Sequence, residues 1–201
     1  VATEDQEIIM TSAVQTSKRA GVGGALASGA VAGVLASIAM GIFAMVAGLV
    51  NGTGFFTPLH HIASLWAAPD AMMTSMEAAM GGNDFRITAG TAVLGAVIHM
   101  MTGAMYGAVF GLVLSRLHLR FGVLLAAGLA YGALVFVMSA FVGLPLAAAI
   151  FDAGDPISNM AEMAGWTTFA VEHLIFGLVL AALLSLAHRN ADAPTQKVAA
   201  R

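Results

Sequence analysis

Apolar residues run almost without a break through four stretches of the chain, roughly 22–50, 88–115, 121–150 and 165–187. Each is long enough to cross a hydrocarbon core of ~30 Å at about 1.5 Å per helical residue. Every fourth residue of the second run reads Thr91, Gly95, His99, Gly103, Gly107, Gly111, Ser115. Positions four apart stack on one helical face, so this face is a groove of small residues holding one imidazole. The last run repeats the device as His173, Gly177, Ala181, Ser185, and the first carries Ala25, Gly29, Gly33, Ser37, Gly41. Small residues at this spacing let membrane helices approach closely. The pattern predicts an all-α integral membrane protein: one four-helix transmembrane bundle over 21–190, between an N-terminal segment, 1–20, and a tail, 191–201.

The polar breaks predict short helices on the outer face, within loops 51–87 and 151–164. After Asn51-Gly52-Thr53-Gly54, Thr57 can cap a helix and Pro58 suits its first position. A second short helix over 70–84 carries Met72, Met73, Met76 and Met80, of which Met72, Met76 and Met80, four apart, make one apolar face, and it stops at Gly81-Gly82. Pro145, near the outer end of the third run, predicts a kink or an early stop. Thr57-Pro58-Leu59-His60-His61-Ile62-Ala63 matches Asp155-Pro156-Ile157-Ser158-Asn159-Met160-Ala161 at an offset of 98, which also aligns Gly24 with Gly122 and Met40 with Met138. An offset of 74 aligns His99-x-x-x-Gly103 with His173-x-x-x-Gly177. The expectation is two parallel helix-hairpin repeats related by an axis along the membrane normal.

Composition agrees with the pattern. The chain of 201 residues is 59% hydrophobic and 9% charged, with mean hydropathy +0.89; a soluble domain carries about a quarter charged residues. With no cysteine, disulfides, thiolate metal sites and thiol catalysis are all excluded. A net charge of −3 gives no argument for a nucleic-acid partner. The distribution of charge is more telling. Lys18, Arg19, Arg116, Arg120, Arg189, Lys197 and Arg201 lie on the side of the termini, and Arg86 alone lies opposite, among Asp70, Glu77, Asp84, Asp152, Asp155 and Glu162. This bias places both termini in the cytoplasm of a bacterial-type plasma (inner) membrane. Segment 1–20 has no apolar core ahead of a cleavage site and does not read as a signal peptide.

Ionisable residues within membrane helices are functional candidates, and here they are His99, Glu172 and His173. His99 is 17 residues from Arg116 and His173 is 16 from Arg189, so both are roughly 24–26 Å up their helices from the basic side. Four readings of the pair stay open. Each ring can clasp a carbonyl or hydroxyl of a neighbouring helix, such as Thr102 or Thr168. The two can be axial ligands of a haem b. Together with Met100, Met101 or Met105 they can hold copper, since thioethers suit Cu(I). Lastly, His173 beside Glu172 can form part of a proton or substrate path. Adjacent helical residues diverge by ~100°, so Glu172 leaves the His173 seam and needs a neighbour in the bundle or a partner subunit. His60 and His61 with the outer methionines are a further candidate copper site, although only one of two adjacent rings can join it. His118 and His188 lie beside basic residues at the cytoplasmic edge.

The chain has no phosphate-binding loop, zinc-protease helix, serine elbow or dinucleotide fingerprint, which argues against an enzyme. Two functions follow. The first is a non-enzymatic subunit or accessory factor of a larger membrane complex, with other membrane subunits or further copies of itself as partners. The second is a small transporter or channel with the histidine pair and Glu172 on its path. The orientation is testable with an impermeant thiol reagent on intact cells. Cysteines at Ser12 and Thr195 should stay unlabelled and one at Ser75 should label; labelling at either terminus refutes the orientation.

Overall fold

The computed structural model describes residues 21–117 and 119–192. The N-terminal segment 1–20, His118 and the tail from 193 lie outside them, as does the side chain of His188. Every element in the described residues is helical. In chain order they are α1 (Val22–Val50), α2 (Thr57–Ala63), α3 (Asp70–Met80), α4 (Ala89–Leu114), α5 (Phe121–Met138), a π-helical turn (Ser139–Gly143), α6 (Leu144–Phe151), α7 (Gly154–Ser158), α8 (Met160–Ala164) and α9 (Trp166–Asp192). Four spans are long and apolar enough to cross a membrane: Val22–Val50, Ala89–Leu114, Phe121–Phe151 and Trp166–Ala187.

The four-residue stripes lie at the helix contacts. On α4, Gly111 meets Ala25 and Gly29 of α1, Gly107 meets Gly29 and Gly33, and Gly103 meets Gly33 and Ser37. About two turns higher, Gly95 lies under the Leu59 carbonyl of α2. A Cβ on Gly33 would run into the backbone carbonyl of Gly103, so neither residue can be replaced without moving a helix. The α5–α9 contact is made the same way, with Gly128 against Gly177 and Ala181, and Gly132 against the backbone at His173 and Leu174. The two welded pairs then join along α1 and α9. In contrast, α4 and α5 have no extended close approach among the described residues. They meet through Tyr131, which stacks on Phe110 with ring centroids 4.6 Å apart and donates to the Tyr106 carbonyl at 2.7 Å.

Toward the end of the bundle where the chain enters and leaves, Phe110, Leu114, Leu124, Phe176, Leu180 and Leu184 fill the space between all four helices. Val31, Leu35, Val93, Val97, Leu134 and Val137 face outward, the arrangement a lipid solvent permits. At the opposite, loop end, α7 and α8 pack on α6 and α9 through Ile157, Met160, Ala161, Ala148 and Phe169.

Pro145 neither stops nor sharply ends the third span. A proline removes its own N–H and crowds the carbonyl four residues earlier, here Phe141. The chain relieves this by widening: the Leu144 N–H reaches back to the Ser139 carbonyl, a π-type turn, and the helix continues to Phe151. Asp152, with φ 53°, ends it in the left-handed region. The outer methionines also differ from expectation. Met72, Ser75 and Ala79 form the buried face of α3, whereas Met73 and Met80 are exposed, so the 72–76–80 stripe does not stay on one side. Ser75 is only 1% exposed and is hydrogen-bonded by Thr57 at 2.8 Å. It is therefore a poor labelling position, and exposed Asn83 is the better reporter for the loop end.

The seam makes a prediction of sign. Gly→Ala in an open helical position gains up to about 1 kcal/mol of propensity, and Gly122 has open space around it. Gly122→Ala should thus be neutral or stabilising against unfolding in mixed micelles. Gly33→Ala and Gly107→Ala should each lose about 1–3 kcal/mol by overpacking. Equal behaviour of seam and control would remove the close-approach argument.

Candidate functional site

The separation of α4 from α5 leaves a cavity of about 560 Å³ between the four spans, on the loop side of the Phe110–Phe176 core. Tyr106 and Phe176 border its deep end; Met72, Met76 and Ile157, carried by the short loop-end helices, border the other. Two groups of its lining residues are exposed: Thr102 and Met105 at the edge of α4 facing the π-helical turn, and Asn51, Glu162 and Met163 at the loop end. The cavity therefore opens both sideways and toward the loops. The turn matters here, because Ser139 and Gly143 line the wall opposite Tyr106.

All three ionisable residues of the spans face this space. His99 lies against Gly41 and donates from Nε2 to the Ser37 carbonyl of α1 at 2.9 Å. A carbonyl partner requires that the ring nitrogen carry the proton. His173 does not reach across to another helix. Its Nδ1 donates to the Phe169 carbonyl of its own helix at 2.6 Å, and the ring packs on Phe169 and Phe136. Thr102 likewise bonds within its helix, to the Ile98 carbonyl, and is not the acceptor for either ring. One clasp thus crosses between helices and the other folds back. Glu172 is 6% exposed and faces the cavity rather than the outer surface of the bundle. Its nearest ionisable neighbour is His173 Nδ1 at 3.9 Å, whose proton already goes to Phe169. No hydrogen bond to the carboxyl is formed among the described residues.

The metal and haem candidates gain little from this geometry. Among the described residues, no three His, Asp or Glu side chains come together as ligands. Of the methionines considered with the pair, Met105 reaches the cavity lining, while Met100 and Met101 do not. Nε2 of His99, the nitrogen an iron would use, is engaged by Ser37. Among the described residues neither imidazole is bonded to a hydroxyl or carboxyl group, so neither ring is paired with a nucleophile there. What the arrangement can do chemically is hold a solute: a largely apolar space with a few convergent polar groups is the usual form of a small-molecule site.

His60 and His61 turn out to be clamps at the loop end. Their ~100° divergence sends them to different elements. His61 Nε2 donates to the Pro156 carbonyl of α7 at 2.5 Å, tying the two halves of the loop end together. His60 Nε2 accepts from the Thr88 N–H, at the start of α4, at 3.2 Å. That leaves His60 Nδ1 buried with no partner among the described residues, a cost of about 1–3 kcal/mol. The sequence marks all five ionisable positions but not the partners of the four histidines, which are three backbone carbonyls and the Thr88 N–H and carry no side-chain signal. Tyr131 was also missed; a phenol inside an apolar run is the available sign of a buried hydrogen bond. Protein-family models, curated proteins and solved structures offer no match to this chain.

Burial lowers the pKa of both loop-end histidines, His60 and His61, below the ordinary 6.5; for His61 the Pro156 carbonyl opposes the shift in part. The unfolded rings take up protons near pH 6.5 and the folded rings resist, so the clamps' contribution is complete above that pH. It is lost progressively as pH falls through 6.5 toward the folded values. The Tm of the purified protein should drop between pH 7.5 and 5, by about 2–4 °C per kcal/mol lost. The His60→Gln/His61→Gln double variant, which keeps an amide near each ring's Nε2, should show a visibly shallower drop. An unchanged slope would remove the two rings from the acid response.

Proposed function

We propose that this chain is a small-solute-binding membrane protein of the transporter class, with the cavity between α4 and α5 as its site. The observation that carries the reading is an ionisable side chain, Glu172, buried in a membrane span yet facing an open cavity without a protein partner. A buried carboxyl group left unmatched is costly, and intramembrane ionisable groups mark substrate or ion pathways. The competing reading, an accessory subunit of a larger complex, draws on more small-residue surface than four helices need for each other and on an unpaired Glu172. The glycine stripes are instead used between helices of this chain, and Glu172 faces inward. With the termini on the cytoplasmic side, as the basic residues argue, the cavity's loop-end mouth faces outward and the Phe110–Leu180 core closes it toward the cytoplasm.

We also infer that the bundle derives from two related helix pairs. What supports this is that Gly103 packs on Gly33 and Ser37 of the preceding span, and Gly177 on Gly128 and Gly132 of its own preceding span. The partners are Gly33 in one pair and Gly128 in the other, 95 residues apart, so the seam register differs from the 98 of the outer loops. Part of that difference falls at the π-helical turn, which widens the third span between the seam and the loops.

The binding reading is tested with filled cavities. In lipid nanodiscs, a panel of single-ring aromatic solutes bearing a neutral, an anionic or a cationic group is assayed by the rise in Tm that ligand linkage produces. At least one member should raise Tm saturably in the wild type, and Ala44→Trp or Ser139→Phe, both on the lining, should abolish the rise. A panel with no saturable binder, or binding indifferent to both fillings, would sink the proposal.

A further inference from the structure

We propose that the solute is a hydrophobic amine or other organic cation, with the Glu172 carboxylate as its counter-ion; this rests on the cavity being a solute site and names what it takes. Three independent features point to that chemistry. The first is the carboxyl group itself, which has no donor of its own. The adjacent imidazole gives its Nδ1 proton to the Phe169 carbonyl, and His99 gives its Nε2 proton to Ser37. No Lys or Arg lines the cavity among the described residues. An entering ammonium group therefore displaces no protein cation and meets an acceptor that no side chain satisfies. A carboxylate ligand would meet the opposite situation, like charge and no basic residue.

The second feature is the wall around the carboxyl group. Phe169, Phe176 and Tyr106 border the same space, with Met40 and Met105 among them. Aromatic faces attract cations through their quadrupoles, most strongly where water is scarce, and thioethers give an adaptable apolar surface. A solute with a compact positive head and an apolar body matches this wall, whereas a small hydrated metal ion does not, consistent with the absence of a three-ligand cluster among the described residues.

The third is the approach. The loop end carries Asp70, Glu77, Asp84, Asp152, Asp155 and Glu162 against the single Arg86, and Glu162 is on the cavity lining itself. A mouth dominated by one sign of charge raises the local concentration of the opposite sign. Glu172 is six residues inside Trp166 on α9, ~9 Å along the helix. A cation thus passes an acidic rim and finds its counter-ion within the first two turns of the span.

The test uses two isosteres that differ only in charge, benzyltrimethylammonium and neopentylbenzene, each titrated against the whole protein in nanodiscs. Wild type should bind the cation more tightly by about tenfold, the ratio that one desolvated cation contact supplies. Glu172→Gln should bring the two affinities together, and Glu172→Asp should keep a preference for the cation. Equal affinities in the wild type, with both solutes blocked by Ala44→Trp, would overturn the cation assignment and leave the cavity a neutral solute site. Binding of neither isostere, together with an inert solute panel, would remove the site itself. If Glu172→Gln does not fold, the wild-type ratio and Glu172→Asp still decide between these outcomes. Release of benzyltrimethylammonium by the anionic panel member, at equal ring size, would also overturn it.

Discussion

Backbone-to-backbone contact at Gly29, Gly33, Gly103 and Gly107 is the constraint from which the remaining architecture follows. In lipid, helices gain little by burying apolar side chains from one another, because the acyl chains are equally apolar. Association then rests on dispersion at short range and on polar contacts, and both need the helix axes to come close. Glycine supplies the approach on α1–α4 and on α5–α9. Once those two pairs are locked, their remaining freedom is how they lean on each other, and they meet along α1 and α9. The opposite side, between α4 and α5, is left to larger residues that hold the helices apart, Tyr131 on Phe110 foremost.

The cavity is a consequence of that asymmetry. Toward the terminal end, Leu114, Leu124 and Leu184 fill the gap; toward the loops, the side chains line the space without closing it. Its loop-end border is the work of short helices that could not fold alone. The seven residues of α2 are too few for a stable isolated helix. They are held by the Leu59 backbone against Gly95, by His60 at Thr88 and by His61 at Pro156. The same pair of rings that looks like a chelating site is therefore a two-armed bracket. Its price is one orphaned nitrogen, His60 Nδ1.

Within the cavity the two intramembrane histidines have separate roles despite a shared spacing. His99 ties α4 to α1 at Ser37, just above the glycine contacts, and so adds a directional bond to a seam that glycines alone would leave free to slide. His173 is bonded within α9 and packed edgewise among phenylalanines. Its ring shapes the wall beside Glu172, leaving the carboxyl group open to whatever enters. The π-helical turn contributes on the facing wall: by absorbing Pro145 without breaking the span, it keeps Ser139 and Gly143 opposite Tyr106.

The sequence by itself determined the solvent, the number of spans and the faces on which they pack. Runs of apolar residues and small residues every four positions report directly on lipid exposure and close approach, because both are properties of a single helix. It also marked His99, Glu172, His173, His60 and His61 as the residues worth explaining. Only the tertiary structure decided what those residues do. Glu172 is one residue from the seam, and whether ~100° of rotation turns it toward lipid, a subunit or a cavity depends on where α4 and α5 lie, which no pattern within α9 encodes. The partners of the histidines are carbonyls of Ser37, Phe169 and Pro156 and the N–H of Thr88. Every residue carries such groups, so nothing in the side-chain sequence distinguishes the four that are used. Their selection is made by the packing of glycine against backbone, which sets which turn of one helix comes level with which turn of the next.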